Sequence, residues 1–121
     1  MSSISLSDLQ TLHYRVEQPG TEGVAVVTLN RAEQRNAQNN RMTYEMNACF
    51  DDAATRSDVK VIVLQADGPH FCSGHDLRET EPVGTFPLVY PVSGLDGKGQ
   101  EAMMAGEEEV YLNMTWRWRN L

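Results

Sequence analysis

Residues 59–77 read VKVIVLQADGPHFCSGHDL. Val59, Val61, Ile62, Val63 and Leu64 form an apolar run dense in β-branched side chains, the pattern of a buried strand in a layered domain. Asp67, Gly68 and Pro69 end it, because glycine frees the backbone and proline withholds a donor. A polar turn follows, Phe71-Cys72-Ser73-Gly74-His75-Asp76-Leu77. A strand that delivers a tight glycine-containing turn can present free backbone N–H groups to a ligand.

Upstream, Leu12, Tyr14 and Val16 alternate with His13, Arg15 and Glu17, as in a half-buried strand. Residues 18–23, QPGTEG, read as a turn, and residues 24–29, VAVVTL, as a second strand. Residues 12–29 are therefore predicted to form a hairpin. Residues 30–40, NRAEQRNAQNN, make a polar connection with Arg31, Arg35 and Arg41 close together. Asn39 or Asn40 supplies an N-cap. Met42, Met46, Cys49, Phe50 and Ala53 then share one helical face, which predicts a helix over residues 40–56. Ser57 and Asp58 lead from it into the run at Val59. Strand, strand, helix, strand reads as an α/β fold.

The flanks differ in character. Residues 1–10 are polar and Ser-rich and are expected to be loose. Residues 78–100 hold Pro82, Gly84, Pro87, Pro91, Gly94, Gly97 and Gly99. A loop of this length beside a polar turn is expected to be mobile and to border a ligand pocket. Residues 101–120 return to a helical pattern, with Met103, Val110, Met114 and Trp118 on one face and Glu107, Glu108 and Glu109 solvated. That stripe reads as core or subunit contact.

The chain has 121 residues, one domain's worth, with 40% hydrophobic residues and a net charge of −7. An acidic balance argues against nucleic-acid binding, which needs a basic face. An anionic ligand would need a local cationic patch instead. Cys49 and Cys72 fit no CxxC pattern or disulfide framework and point to a reducing compartment. No apolar run reaches transmembrane length, and residues 1–10 lack a cationic start and an apolar core, so a cytoplasmic location without membrane association is expected.

Gly68, Phe71, Cys72, Ser73, Gly74, His75, Asp76 and Leu77 resemble the first signature of the enoyl-CoA hydratase/isomerase (crotonase) family. That signature runs Gly, aromatic, two small residues, Gly, a variable residue, Asp, aliphatic. The resemblance extends from about residue 14 to residue 121. It implies an α/β fold of ββα units stacked as a spiral, of which this chain carries the N-terminal portion. It implies that the variable residue, His75, gives its backbone N–H to the thioester oxygen of a bound acyl-CoA, with Ser73, Gly74, Asp76 and Leu77 around it. Residues 31–37, RAEQRNA, are similar to the family's loop that lines the CoA site. There Arg35 is a better candidate than Arg31 for a phosphate contact, with the Ala37 backbone near the adenine. Ala32 and Gln38 stand where the family more often has Pro and Leu.

The function implied by the resemblance is to bind acyl-CoA, stabilise a thioester enolate and add water to a 2-enoyl-CoA. The alternatives are isomerisation, hydrolysis or C–C bond chemistry on the same enolate, or a truncated, non-catalytic acyl-CoA-binding or interaction module. Coenzyme A enters as part of the substrate, and no separate cofactor is implied. Family members commonly assemble as homotrimers or hexamers. The family's second oxyanion donor and its catalytic Glu would lie beyond Leu121.

Other chemistries are weaker. His70, Cys72, His75 and Asp76 crowd one turn, but structural zinc ligands come as spaced pairs from two segments, so no metal is expected. A Cys/His nucleophile pair normally converges from separate segments as well. Glu79, Glu81, Glu107, Glu108 and Glu109 match no catalytic position of the family and read as surface acids.

Overall fold

The computed structural model of the chain describes residues 4–90 and 92–121. Strands β1 (Leu12–Glu17) and β2 (Gly23–Leu29) pair antiparallel, Leu12 opposite Leu29 and Glu17 opposite Val24. Helix α1 (Asn40–Thr55) then carries the chain to strand β3 (Val59–Ala66), which lies parallel to β2. The sheet order is β1-β2-β3. A parallel neighbour requires a crossover element, and α1 is that element. The hairpin, the helix and the strand all fall where the sequence pattern puts them.

Helix α1 starts at Asn39, whose side chain accepts from Met42 N–H at 2.9 Å. This satisfies one of the donors that a helix leaves open at its first turn. Its apolar face, Met42, Met46, Cys49 and Phe50, packs on Leu12, Val27 and Leu29 of the sheet. Burial pushes the Cys49 thiol up to about 12, so it remains a neutral packing group at ordinary pH. Glu45 is buried on the same helix. Its carboxylate accepts the Gln10 and Thr11 N–H groups at 2.8 and 2.9 Å, and the Thr11 hydroxyl. A buried carboxylate is tolerable when it is saturated with donors in this way. The same bonds anchor the approach to β1, where Leu9 packs on the core.

Strand β3 differs from its expected burial. Val61 is 53% exposed, and Val63 and Leu64 are also exposed. Only Ile62 and Ala66 of this strand pack against the core cluster. β3 is an outer strand of the described sheet, and its pairing to β2 satisfies one edge alone. The apolar run is that of a strand covered on both faces. Val59, Val61 and Leu64 instead line an open apolar trough with Phe50, Trp118 and Leu121.

Beyond the turn, residues 78–100 are pinned at Phe86, which is fully buried and stacked on Tyr44 of α1 with ring centroids 4.8 Å apart. Helix α2 (Gln100–Glu107) passes through a π-helical stretch, Glu108–Asn113, into helix α3 (Met114–Arg119). The wider π turn shifts the phase of the faces relative to a straight helix. Val110 and Met114 are buried as the stripe predicts, but Met103 is 63% exposed. Glu109 is fully buried rather than solvated, and its Oε1 accepts the Val89 N–H at 2.9 Å. Met114 joins Tyr44 and Phe86 in a second small core, and Trp118 touches both cores.

Phe86→Ala is expected to destabilise the chain by about 3–5 kcal/mol, the cost of removing a fully buried aromatic ring. Urea unfolding measures it. A loss below about 1 kcal/mol would mean that the ring is not holding this segment to α1.

Candidate active site

The site is built from two loops that each follow a strand. Residues 30–38 leave β2 and residues 67–77 leave β3, and the parallel pairing of those strands brings the loops side by side. Asn36 joins them. It is fully buried, and its Nδ2 donates to Asp67 O and His70 O, both at 2.8 Å. Its Oδ1 accepts the Arg31 N–H at 2.8 Å. Both polar atoms of the amide are therefore employed, Oδ1 within its own loop and Nδ2 across to the other. Arg35 and Asn36 both have φ of 54°, the left-handed region, and the tight turn follows from that pair. Asn visits this region more readily than most residues, whereas Arg does so at a cost.

A second bond set extends the seam. Gln38 N–H donates to Gly74 O at 2.8 Å, and Asp76 N–H donates to Gln38 O at 2.9 Å. This is a single parallel bridge between Gln38 and His75. In such a bridge the residue opposite contributes neither of its own polar groups; its neighbours on each side do. The His75 N–H and C=O therefore point away from the 30–38 loop. Ser73 N–H is taken by Arg35 O at 3.1 Å. Among the described residues the His75 N–H has no acceptor. Gly74, at φ of 108°, makes the bend that turns the backbone over.

An ion pair closes the seam. Arg31 Nη2 lies 3.0 Å from Asp76 Oδ2, with both side chains mostly buried, and Arg31 Nη1 donates to Ala37 O. The Arg78 N–H on Oδ1 and the Arg31 guanidinium hold the Asp76 carboxyl below the usual carboxylate range. Arg35 is exposed and forms no ion pair among the described residues. The cation committed to structure is thus Arg31, and the uncommitted one is Arg35.

On the far side of His75 lies a cleft of about 710 Å³. Its floor is the turn, His75, Asp76 and Leu77; its walls come from Glu79, Pro82, Val83, Gly84 and Leu95 and from one face of residues 102–111. Leu77 is 94% exposed, so an apolar side chain stands bare at the turn. The His75 ring meets the Tyr111 ring edge-on, centroids 5.0 Å apart.

The sequence-predicted residues separate into two groups. His75 and Leu77 line the cleft, as Asp76 does, and Gly74 makes the bend that presents them. Ser73, Ala37 and Asp76 serve as bonding partners that fix the turn. Asn36 and Tyr111 were not singled out by the sequence, which took Gln38 only as a departure from the family's loop and Glu107 only as a solvated surface acid. An Asn two residues after a helical turn of loop sequence is the available signal for Asn36, since Asn tolerates positive φ. Nothing local marks Tyr111 or Glu107, which reach the site only through the packing of the second core. Among the described residues no group of three or more His, Cys, Asp or Glu side chains converges to hold a metal ion.

This strand-turn arrangement is shared with known proteins. The profile of the enoyl-CoA hydratase/isomerase family matches residues 20–85, more than half of the chain, and the chain belongs to that family. EchA13 of Mycobacterium tuberculosis, whose name describes an enoyl-CoA hydratase, is 38% identical over 104 residues, covering 81% of this chain and 33% of the relative. A 1,2-epoxyphenylacetyl-CoA isomerase of Escherichia coli K12 is 32% identical over 68 residues, 54% of this chain and 26% of the relative. Among solved structures, that of an enoyl-CoA hydratase from Mycobacterium thermoresistibile superimposes with a TM-score of 0.69 at 38% identity, over 90% of this chain and 37% of that one. The fold is accordingly crotonase-like and α/β, in part. The chain spans a third or less of the length of the curated relatives it matches.

Two outcomes follow from the seam. Asn36→Ala removes a fully buried amide and three part-buried hydrogen bonds, to the Asp67 and His70 carbonyls and the Arg31 N–H, and is expected to cost about 1–3 kcal/mol in urea unfolding. A neutral result would mean that water replaces the amide. Asp76 has a native pKa below its unfolded value, so its contribution is complete above about pH 4 and is lost as pH falls through the lowered native value. Asp76→Asn should therefore flatten the acid limb of the stability profile, read as unfolding midpoint against pH. An unchanged acid limb would remove Asp76 from that role.

Proposed function

We propose that the chain binds an acyl-CoA thioester at this turn and supplies one donor of an oxyanion hole, as part of an enzyme that adds water to a 2-enoyl-CoA. The observation that carries the reading is the His75 N–H. It has no acceptor among the described residues, it is turned away from the loop seam, and it stands where the cleft begins. A thioester oxygen at hydrogen-bond distance from it would gain negative charge as the enolate forms. One such donor is typically worth about 3–4 kcal/mol in the transition state. Its value rests on rigidity, and the bonds at Ser73, Gln38, Asp76 and Arg31 hold the peptide without using the N–H itself.

The nucleotide end falls to the other loop. Arg35 is an exposed, unpaired cation in a chain of net charge −7, next to the Ala37 backbone, and suits a phosphate group. Isomerisation shares the same enolate, and the likeness to an isomerase as well as to hydratases keeps that branch as the second reading. The acid and base that add or move the proton, a second oxyanion donor, and assembly into a homotrimer or hexamer are assigned to the remainder of a full-length enzyme.

The test is thioester binding and, in a full-length context, turnover of a short enoyl-CoA. His75→Ala keeps the backbone donor and should retain activity within about tenfold, whereas His75→Pro removes it and should lose at least about a hundredfold. Circular dichroism confirms that the Pro variant is folded before the comparison is made. Equal losses in both variants would show that the imidazole, not the N–H, is the working group. Arg35→Ala should raise KM more than it lowers kcat, since it removes binding common to ground and transition states. An unchanged KM returns Arg35 to the role of a solvated loop residue.

A further inference from the structure

The cleft beyond His75 has an unusual charge balance. Among the described residues, it is lined by three carboxylates, Asp76, Glu79 and Glu107, and by no lysine or arginine. The three are not equivalent. Asp76 is neutralised by Arg31 at 3.0 Å. Glu79 is tied to the protein: its Oε2 accepts the Asn40 N–H at 2.6 Å, and its Oε1 accepts the Thr80 and Glu81 N–H groups. It lies at the N-terminus of α1, where the open N–H groups of the first turn favour a carboxylate. Glu107 has no ion-pair partner and no hydrogen bond among the described residues, and it stands on the wall contributed by α2. Burial raises the pKa of the Tyr111 hydroxyl, and the charges of Glu107 and Glu79 raise it further, so both carboxylates act on the Tyr111 end of the cleft. The remaining wall is apolar, with Leu77, Val83, Leu95, Met103 and Val110.

From this we infer that Glu107 is a specificity-determining residue: the cleft takes neutral acyl groups and rejects acyl groups that carry a second carboxylate. The inference rests on the acyl-CoA reading and narrows it. Once the thioester oxygen is at the His75 N–H, the acyl chain has to run toward Tyr111, where an ω-carboxylate would meet Glu107 and Glu79 without a cation to pair with. Like charges that cannot be matched discriminate between ligands more strongly than additional apolar contact does.

Butyryl-CoA and succinyl-CoA form a matched pair, since both acyl groups have four carbons and differ at the far end only, in a methyl or a carboxylate. Isothermal titration of the chain with each is expected to show succinyl-CoA binding at least about tenfold more weakly at low salt. Glu107→Gln should close that ratio by about threefold or more. Glu108→Gln makes the same change in net charge one residue on, outside the cleft lining, and should leave the ratio within about twofold. Equal affinity for both thioesters, or a ratio that Glu107→Gln does not move, overturns the inference while leaving the acyl-CoA reading in place. A ratio moved equally by both substitutions overturns it too, because overall charge and not the cleft would then be the cause. Absence of butyryl-CoA binding overturns the acyl-CoA reading itself, and the inference with it.

Discussion

The seam between the loops after β2 and β3 is the constraint on which the rest of the site depends. Parallel strands deliver their C-terminal ends to the same edge of a sheet, which is why α/β folds place ligands there. Delivery alone leaves two flexible polar loops. Here the Asn36 amide, the Gln38–His75 bridge and the Arg31–Asp76 pair convert them into one rigid piece. The consequence for chemistry is selective. Bonds hold the Gly74 carbonyl and the Asp76 N–H on either side of His75 and leave its own N–H without an acceptor among the described residues, so the open donor belongs to a framework that is held in place. An unpaired N–H in a loose loop would find water or a neighbouring carbonyl.

The supporting core uses charge in a similar way. Glu45 is buried but meets three donors, and it fixes the start of β1 against α1. Glu109 is buried with one donor, Val89 N–H, and its second oxygen has no partner, as is true of the Tyr44 hydroxyl in the same small core. Burial raises the Tyr44 pKa and the charge of Glu109 raises it further. The better-satisfied carboxylate lies in the core under the sheet, and the poorly satisfied one lies under the cleft wall. The wall that carries Glu107 and Tyr111 therefore rests on a less completely bonded foundation than the floor that carries His75.

How much of this was legible depends on the range of the interactions. The strands, helix α1 and its Asn39 cap are set by periodicity and capping, which are local, and they appear where the sequence puts them. The turn at residues 71–77 was legible because Gly74 and Asp76 sit within one short stretch. Asn36 was not, because its partners at Asp67 and His70 lie more than thirty residues away. Arg35 was preferred to Arg31 on the resemblance, but that Arg31 is bound to Asp76 is visible only in the fold. Val61 and Leu64 read as buried because hydrophobicity records that a residue can be covered, not that a neighbour is present to cover it. The Met103 to Trp118 stripe was read with a period of 3.6, and the π-helical stretch breaks that period between its ends.

The left-handed backbone at Arg35 has a consequence for how this loop can change. A side chain in that conformation costs about 1–2 kcal/mol relative to the right-handed region, and glycine avoids the cost. Glycine at this position would relax the turn and remove its exposed charge in a single step. Backbone ease and an exposed positive charge thus favour different residues at one position.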